Sequence, residues 1–265
     1  MTHQDFFIKT PISEILEEAT IVTSRCEMAM HEQPLCDYIM QSIFLKMTGF
    51  QEQKLKSIHW MLATEDYDYR YSFLDQKNRN ASDYNDKNKV LVKLYSSIRN
   101  FDSSYSGLSE DDRNRIVADT KKNIEIFYQQ SKLCAWLQHD YLAYQKMIEH
   151  VSGSCLMLFN SKTGLATHFF KTCENCDNAA VRNVCKMRKL GSLVDAHDAM
   201  HRYRNVCAHN ISSYKQDLPT LNTLSQKAYT FDNYFIRFFL LICIDSMAIR
   251  LYEVYNRVSG RLFKL

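Results

Sequence analysis

This sequence predicts an all-α protein, and three observations carry the prediction. Only 6 glycines and 3 prolines are spread over 265 residues, too few for the many tight turns of a sheet protein. Apolar residues recur at intervals of three and four along most of the chain, the period of one helix face. Hydrophobic residues make up 46%, enough to build a substantial core and to exclude global disorder. The length suits one large domain or two small ones. Residues 1–100 form an expected N-terminal helical region, either part of the same domain or a partner-sensing unit. Residues 101–265 form the expected helical domain that carries the motif described below.

In chain order, Thr10-Pro11 reads as an N-cap followed by proline in a first helical turn. Ile12, Ile15, Leu16, Ala19, Val22 and Cys26 then keep helical spacing. Pro34 opens a second helix with Leu35, Tyr38, Ile39, Ile43, Phe44 and Met47 on one side, and Gly49 is expected to end it. Leu55, Ile58, Trp60, Met61 and Leu62 suggest a third helix. Residues 64–89 are rich in Asp, Asn, Tyr and Lys, and residues 78–83 are the best loop candidate. A short helix is expected over residues 90–98. After a polar break ending in Ser106-Gly107, Ser109 caps the next helix, with Glu110, Asp111 and Asp112 where acidic groups complement the dipole. That helix runs toward His150, and a straight version would be ~60 Å long, so a bend is expected near residue 138. Gly153 separates it from the apolar segment 155–159. Residues 160–192 are polar and cysteine-bearing. Ser192 caps a helix from Leu193 to about Ala208, and Thr230 opens a last long helix ended by Gly260.

The formal charge is only +3, which excludes a generic polyanion binder and leaves nucleic-acid contact to a local basic patch. Nine cysteines, an odd number mostly set in apolar helical patterns, read as reduced thiols of a cytoplasmic protein. No basic, apolar leader is evident at Met1 to Phe7. The most apolar run, Phe238 to Ile244, is bracketed by Arg237 and Asp245. It is too short to span a bilayer and reads as a buried core helix, so no membrane association is expected.

Chemistry concentrates in Arg204-Asn205-Val206-Cys207-Ala208-His209, at the end of the helix from Leu193. Arginine holds a phosphate in a fixed fork, histidine moves a proton near neutral pH, and asparagine adds a neutral donor and acceptor. On a wheel of ~100° per residue, Ala196, Ala199, Met200, Tyr203, Val206 and Cys207 form an apolar stripe that belongs in the core. Asp198, Asn205 and His209 lie together on a polar side, and Arg204 lies on the other flank near His197. Five positions separate Arg204 from His209 by ~140°, so they do not share one face of a regular helix. Two arrangements bring both onto one phosphate. Either the helix ends at Ala208 with Asn210 in a left-handed cap, or two copies of the helix end meet across a two-fold axis. One His209 would then take the proton of a ribose 2′-hydroxyl, Arg204 would stabilise charge on the phosphate, and the second His209 or water would protonate the leaving 5′-oxygen. Asn205 would orient the histidine or the phosphate. This chemistry needs no cofactor. The competing reading is structural: a histidine at a helix C-terminus complements the dipole, and Arg204 is a surface residue.

The longer string Tyr203-Arg204-Asn205-Val206-Cys207-Ala208-His209-Asn210 resembles the motif of HEPN-domain proteins, and its Ala-His-Asn ending resembles the abortive-infection branch of that family. The resemblance implies a HEPN-like helical bundle, here with additional N-terminal helices, and assigns catalytic roles to Arg204, Asn205 and His209. It implies a homodimer whose two motifs form one metal-independent endoribonuclease site. It also implies RNA as partner, a toxin or effector role in prokaryotic antiviral defence, and an antitoxin or regulatory protein as a further partner. A tyrosine two residues after the histidine marks a branch regulated by nucleotidyl transfer; Ile211 stands at that position here. The alternative is a non-catalytic helical module for RNA binding or dimerisation that regulates a partner protein.

Other constellations carry less. Cys173 and Cys176 form one CxxC, with His168 before and Cys185 after, four zinc-capable side chains within 18 residues. Structural zinc sites generally use two tight pairs, so reduced thiols are the preferred reading. Arg182, Lys186, Arg188 and Lys189 make a basic cluster that leads RNA toward the motif or merely solvates a helix face, and Arg202 is a further candidate RNA contact. Lys54, Lys56, Lys121 and Lys122 read as ordinary surface charge. Tyr67, Tyr69, Tyr71 and Phe73 alternate with polar residues, as in base-stacking surfaces, short strands or packed loops. His139, His150, His197 and His201 read as packing or capping residues. Asp198, His201 and Asn210 stand close enough to the motif to support it.

Overall fold

The computed structural model describes residues 3–25, 33–75, 81, 83–149, 151–153, 156, 200–201, 203–205 and 233–260. Those residues are all-helical, with no strand among them. The helices are α1 (His3–Lys9), α2 (Glu14–Thr23), α3 (Gln33–Glu65), α4 (Tyr67–Asp75), α5 (Tyr84–Phe101), α6 (Glu110–Gln130), α7 (Cys134–Ile148) and α8 (Tyr234–Val258). Residues 200–201 and 203–205, the described part of the motif segment, are helical too. No helix among the described residues is long and apolar enough to cross a membrane.

Helix α8 is the axis of the core. Its residues from Phe235 through Asp245 are all buried, and it packs against α3, α5, α6 and α7. The run Phe238 to Ile244 is buried as its composition predicts. Asn233 caps the helix by accepting from Phe235 N at 2.9 Å, satisfying one of the first-turn donors. Buried side chains from α1, α2, α3 and α5 join those of α6, α7 and α8 in one hydrophobic cluster, so the helices before residue 100 share a core with those after it.

Helix α3 corrects the expected break at Gly49. A single helix of 33 residues runs through that position. A β-carbon at Gly49 would meet nothing within 4 Å, so the glycine serves no close approach. Glycine costs a helix about 1 kcal/mol relative to alanine. Cys36, Met40, Ile43, Phe44 and Met47 before it, and Leu55, Ile58 and Leu62 after it, bury one continuous stripe. At ~1.5–3 kcal/mol per buried large side chain, that stripe outweighs the glycine penalty.

Helix α4 replaces the strand or loop expected of the alternating tyrosines. Asp66 starts it by accepting from Tyr69 N at 2.9 Å, and Arg70 closes the end of α3 by donating to Ala63 O and Thr64 O at 2.8 and 2.7 Å. Helix α5 begins six residues earlier than expected because Asp83 caps it, accepting from Asp86 N at 2.7 Å. Ser109 caps α6 as its sequence predicts, accepting from Asp112 N at 3.1 Å. The break before α7 lies at Ser131–Leu133 rather than near residue 138. Ser131 is extended there, and its hydroxyl accepts from Leu133 N at 3.2 Å.

Two lysines expected at the surface are not free surface charges. Lys54 has no exposed side-chain area and pairs with Asp245 of α8 at 2.6 Å. It also donates to Thr10 O at 2.6 Å, while Asp245 accepts from Ile12 N at 3.0 Å. The Thr10–Ile12 segment, expected to begin a helix, is thereby a turn pinned to α8, and α2 starts at Glu14. Lys121 donates to Val151 O at 2.9 Å and ties α6 to the segment after α7.

Candidate functional site

The motif segment is held by an aromatic clamp. Met200 is buried, and Tyr203 packs on the core next to Phe44 of α3 and Tyr234 of α8. This is the face the apolar stripe predicts. The guanidinium of Arg237, itself buried, lies 4.0 Å from the centre of the Tyr203 ring, 5.1 Å from Tyr234 and 5.5 Å from Phe44. A cation over ring faces is attracted by their quadrupoles, more strongly when desolvated. The hydroxyls of Tyr203 and Tyr234 share a hydrogen bond at 2.8 Å. These contacts fix the residue immediately before Arg204.

Arg204 is turned toward α3. Its Nη2 donates to Oε2 of Glu52 at 2.9 Å and its Nη1 to Oδ1 of Asn205 at 3.2 Å. The other carboxylate oxygen of Glu52 accepts from Lys56 at 2.7 Å. Asn205 Nδ2 lies 3.5 Å from Nε2 of His201, one turn earlier on the same face. Arg204 and Glu52 keep 27% and 12% of their side-chain area exposed, so their charges meet at the mouth of the cleft rather than in bulk water. Arg204 is therefore a partly buried, two-acceptor cation and not the free surface residue of the structural reading.

Thr48, Glu52, Lys87, Met200, His201 and Arg204 line a small cleft between the motif segment, α3 and α5. Its cavity is about 10 Å³, room for one water. Lys87 is the unexpected member. It is buried on α5 and donates to Oε1 of Gln51 at 2.7 Å. Gln51 in turn donates to Leu241 O of α8 at 2.7 Å. Burial pulls Lys87 down to about 8; the Glu52 carboxylate opposes that and the Arg204 charge reinforces it. A buried lysine lowered by desolvation and by a neighbouring arginine is a candidate functional group. Chemically, the cleft offers two cations, one carboxylate and one imidazole.

Of the residues expected at the site, the structure brings Arg204, Asn205 and His201 together. His209, Asn210, Asp198 and Arg202 lie outside the described residues, as do Arg182, Lys186, Arg188, Lys189 and the set His168, Cys173, Cys176 and Cys185. Among the described residues no group of three His, Cys, Asp or Glu side chains is placed to hold a metal ion. Sequence reasoning missed Glu52 and Lys87. The signal for Lys87 was present: it precedes Val90, Leu91, Leu94 and Ile98 at helical spacing, inside the buried stripe. No comparable local signal marks Glu52. No protein-family model, curated protein or solved structure matches this chain.

Proposed function

We propose that this protein is a HEPN-type endoribonuclease that cuts RNA by attack of a ribose 2′-hydroxyl on the adjacent phosphate, without a metal. The observation that carries the reading is the seating of Arg204: an anchored guanidinium at a cleft, facing a carboxylate where a phosphate would be met, with Asn205 and His201 beside it. A guanidinium fork matches two phosphate oxygens as well as it matches a carboxylate and an amide. In this reading His209 is the general base, a second copy of the chain supplies the general acid, and Arg204 stabilises the charge that develops on the phosphate. The products are 2′,3′-cyclic phosphate and 5′-hydroxyl ends. A toxin or antiviral effector held in check by an antitoxin is the biological setting that the motif resemblance suggests.

The test is incubation of purified protein with single-stranded RNA in EDTA. Wild type should leave cyclic-phosphate ends and spare DNA, and Arg204→Ala and His209→Ala should each lose at least ~100-fold in rate. Intact RNA at high protein concentration, with binding preserved in both variants, would instead identify a non-catalytic RNA-binding module. Activity that rises with dimer fraction in sedimentation would tie cleavage to a two-chain site.

A further inference from the structure

We propose that Lys87 of α5 is a second phosphate-binding cation of the Arg204 cleft, and that Glu52 holds Arg204 only until a backbone phosphate of RNA displaces it. This rests on the ribonuclease reading for the identity of the anion and deepens it by giving the N-terminal helices a part in the site.

Lys87 and Arg204 line one cleft and come from different elements, α5 and the motif segment. The same cleft is lined by one carboxylate, Glu52, which meets Arg204 at 2.9 Å and Lys56 at 2.7 Å. With Glu52 in place, the charged cleft residues sum to one net positive charge, excluding His201; with Glu52 swung toward Lys56, the charge is two. Lys56, which already holds the other Glu52 oxygen, keeps 34% of its side chain exposed, so that exit leads toward water. The enclosed space of about 10 Å³ is water-sized, and the place beside Arg204 that a phosphate would take is the one Glu52 fills. The Arg204 charge disfavours that of Lys87, and an anion shared between them relieves that repulsion. The Gln51 amide, anchored to Leu241 O, fixes where the ammonium points. Glu52, Arg204 and His201 face Lys87 from α3 and the motif segment, Asp83 lies at the start of its own helix, and Asp245 on α8 acts from across the core.

The test uses the full chain and a short, fully 2′-O-methylated RNA, which can be bound but has no 2′-hydroxyl to attack. Fluorescence anisotropy follows its affinity from about pH 7 to about pH 9, through the loss of the Lys87 proton. Wild-type affinity should fall as pH rises. Lys87→Met should weaken binding at pH 7 by roughly 10-fold to 100-fold and flatten the pH profile. Lys87→Arg should keep the binding and also flatten the profile, because arginine stays protonated. Glu52→Gln should tighten binding several-fold by releasing Arg204. Circular dichroism melts establish which variants are folded. If Lys87→Met does not fold, the pH profile of Lys87→Arg and the affinity of Glu52→Gln decide. No binding by wild type, a folded Lys87→Met with wild-type affinity and profile, a Lys87→Arg that keeps the wild-type pH dependence, or weaker binding by Glu52→Gln overturns the proposal. Cleavage of unmodified RNA is scored separately. Wild type that binds in this pattern but never cuts removes the ribonuclease reading and keeps the subsite. Wild type that cuts, alongside a Lys87→Met that binds and cuts equally well, removes the subsite and keeps the ribonuclease.

Discussion

Replacing Lys54 by methionine should be among the most damaging single changes outside the apolar core. The ammonium and the Asp245 carboxylate have 0% and 1% of their side-chain areas exposed and lie 2.6 Å apart. Without Lys54, Asp245 keeps the Ile12 N–H donor, and Thr10 O loses the ammonium at 2.6 Å. Breaking a buried pair from one side costs about 3–5 kcal/mol, because the remaining charge stays buried. That is a large share of a stability of about 5–15 kcal/mol. At roughly 2–4 °C per kcal/mol for a protein of this size, the melting temperature should drop by roughly 6–20 °C. The double variant Lys54→Met with Asp245→Leu should recover much of the loss, since packed apolar groups often replace a buried pair without penalty. The single variant should also carry a pH signature. Burial raises Asp245 above the ordinary carboxylate range, and Lys54 is the main opposing influence. With Lys54 gone, the native state holds the Asp245 proton more tightly than the unfolded state does. A group raised on folding contributes stability at low pH that is lost as pH climbs through its folded value. The melting deficit of Lys54→Met relative to wild type should therefore be smaller near pH 5 than near pH 8. Urea melts at both pH values measure it. A deficit below about 1 kcal/mol, or one independent of pH, would refute the reasoning.

Three further outcomes concern the site. Arg204→Lys keeps the charge but cannot serve Glu52 and Asn205 as two fixed acceptors, so RNA cleavage should fall about 100-fold in single-turnover assays. His201→Ala should slow cleavage by about 10-fold by leaving Asn205 held by Arg204 alone, well short of the His209→Ala loss; an equal loss would make His201 as necessary to cleavage as His209. Tyr203→Phe removes the 2.8 Å hydroxyl contact with Tyr234 and keeps the ring over Arg237. Its cost should be near 1 kcal/mol in a thermal melt, with cleavage retained.

Much of the scaffold could be read from local pattern. Ser109 before three acidic residues marks a helix start because those groups answer the free N–H donors and the dipole of a first turn. The apolar positions Met200 and Tyr203 point to the buried side of the motif segment because helical period alone places them on one face. Gly49 misled because its helix penalty is local while the compensating burial comes from α8 and other distant parts of the chain. Residues 67–75 misled for a related reason. Asp66 and Arg70 build the junction between α3 and α4 by bonding backbone groups that no alternation of tyrosines reveals.

The candidate site divides along the same line. Residue types and spacing were enough to single out Arg204, Asn205 and His209 as a chemically capable set, and to keep Arg204 and His209 off one helix face. They could not show what Arg204 meets. Glu52 stands 152 positions earlier, and Lys87 reaches the cleft from another helix. Period along a chain specifies which side of a helix is buried, a property of neighbours three and four residues apart. Whether a lysine in the buried stripe is a mistake, a strut such as Lys54, or a cation lining a cleft such as Lys87 depends on the groups packed opposite it. Those groups are brought there by the shared burial of α3, α5 and α8, and no local pattern encodes them.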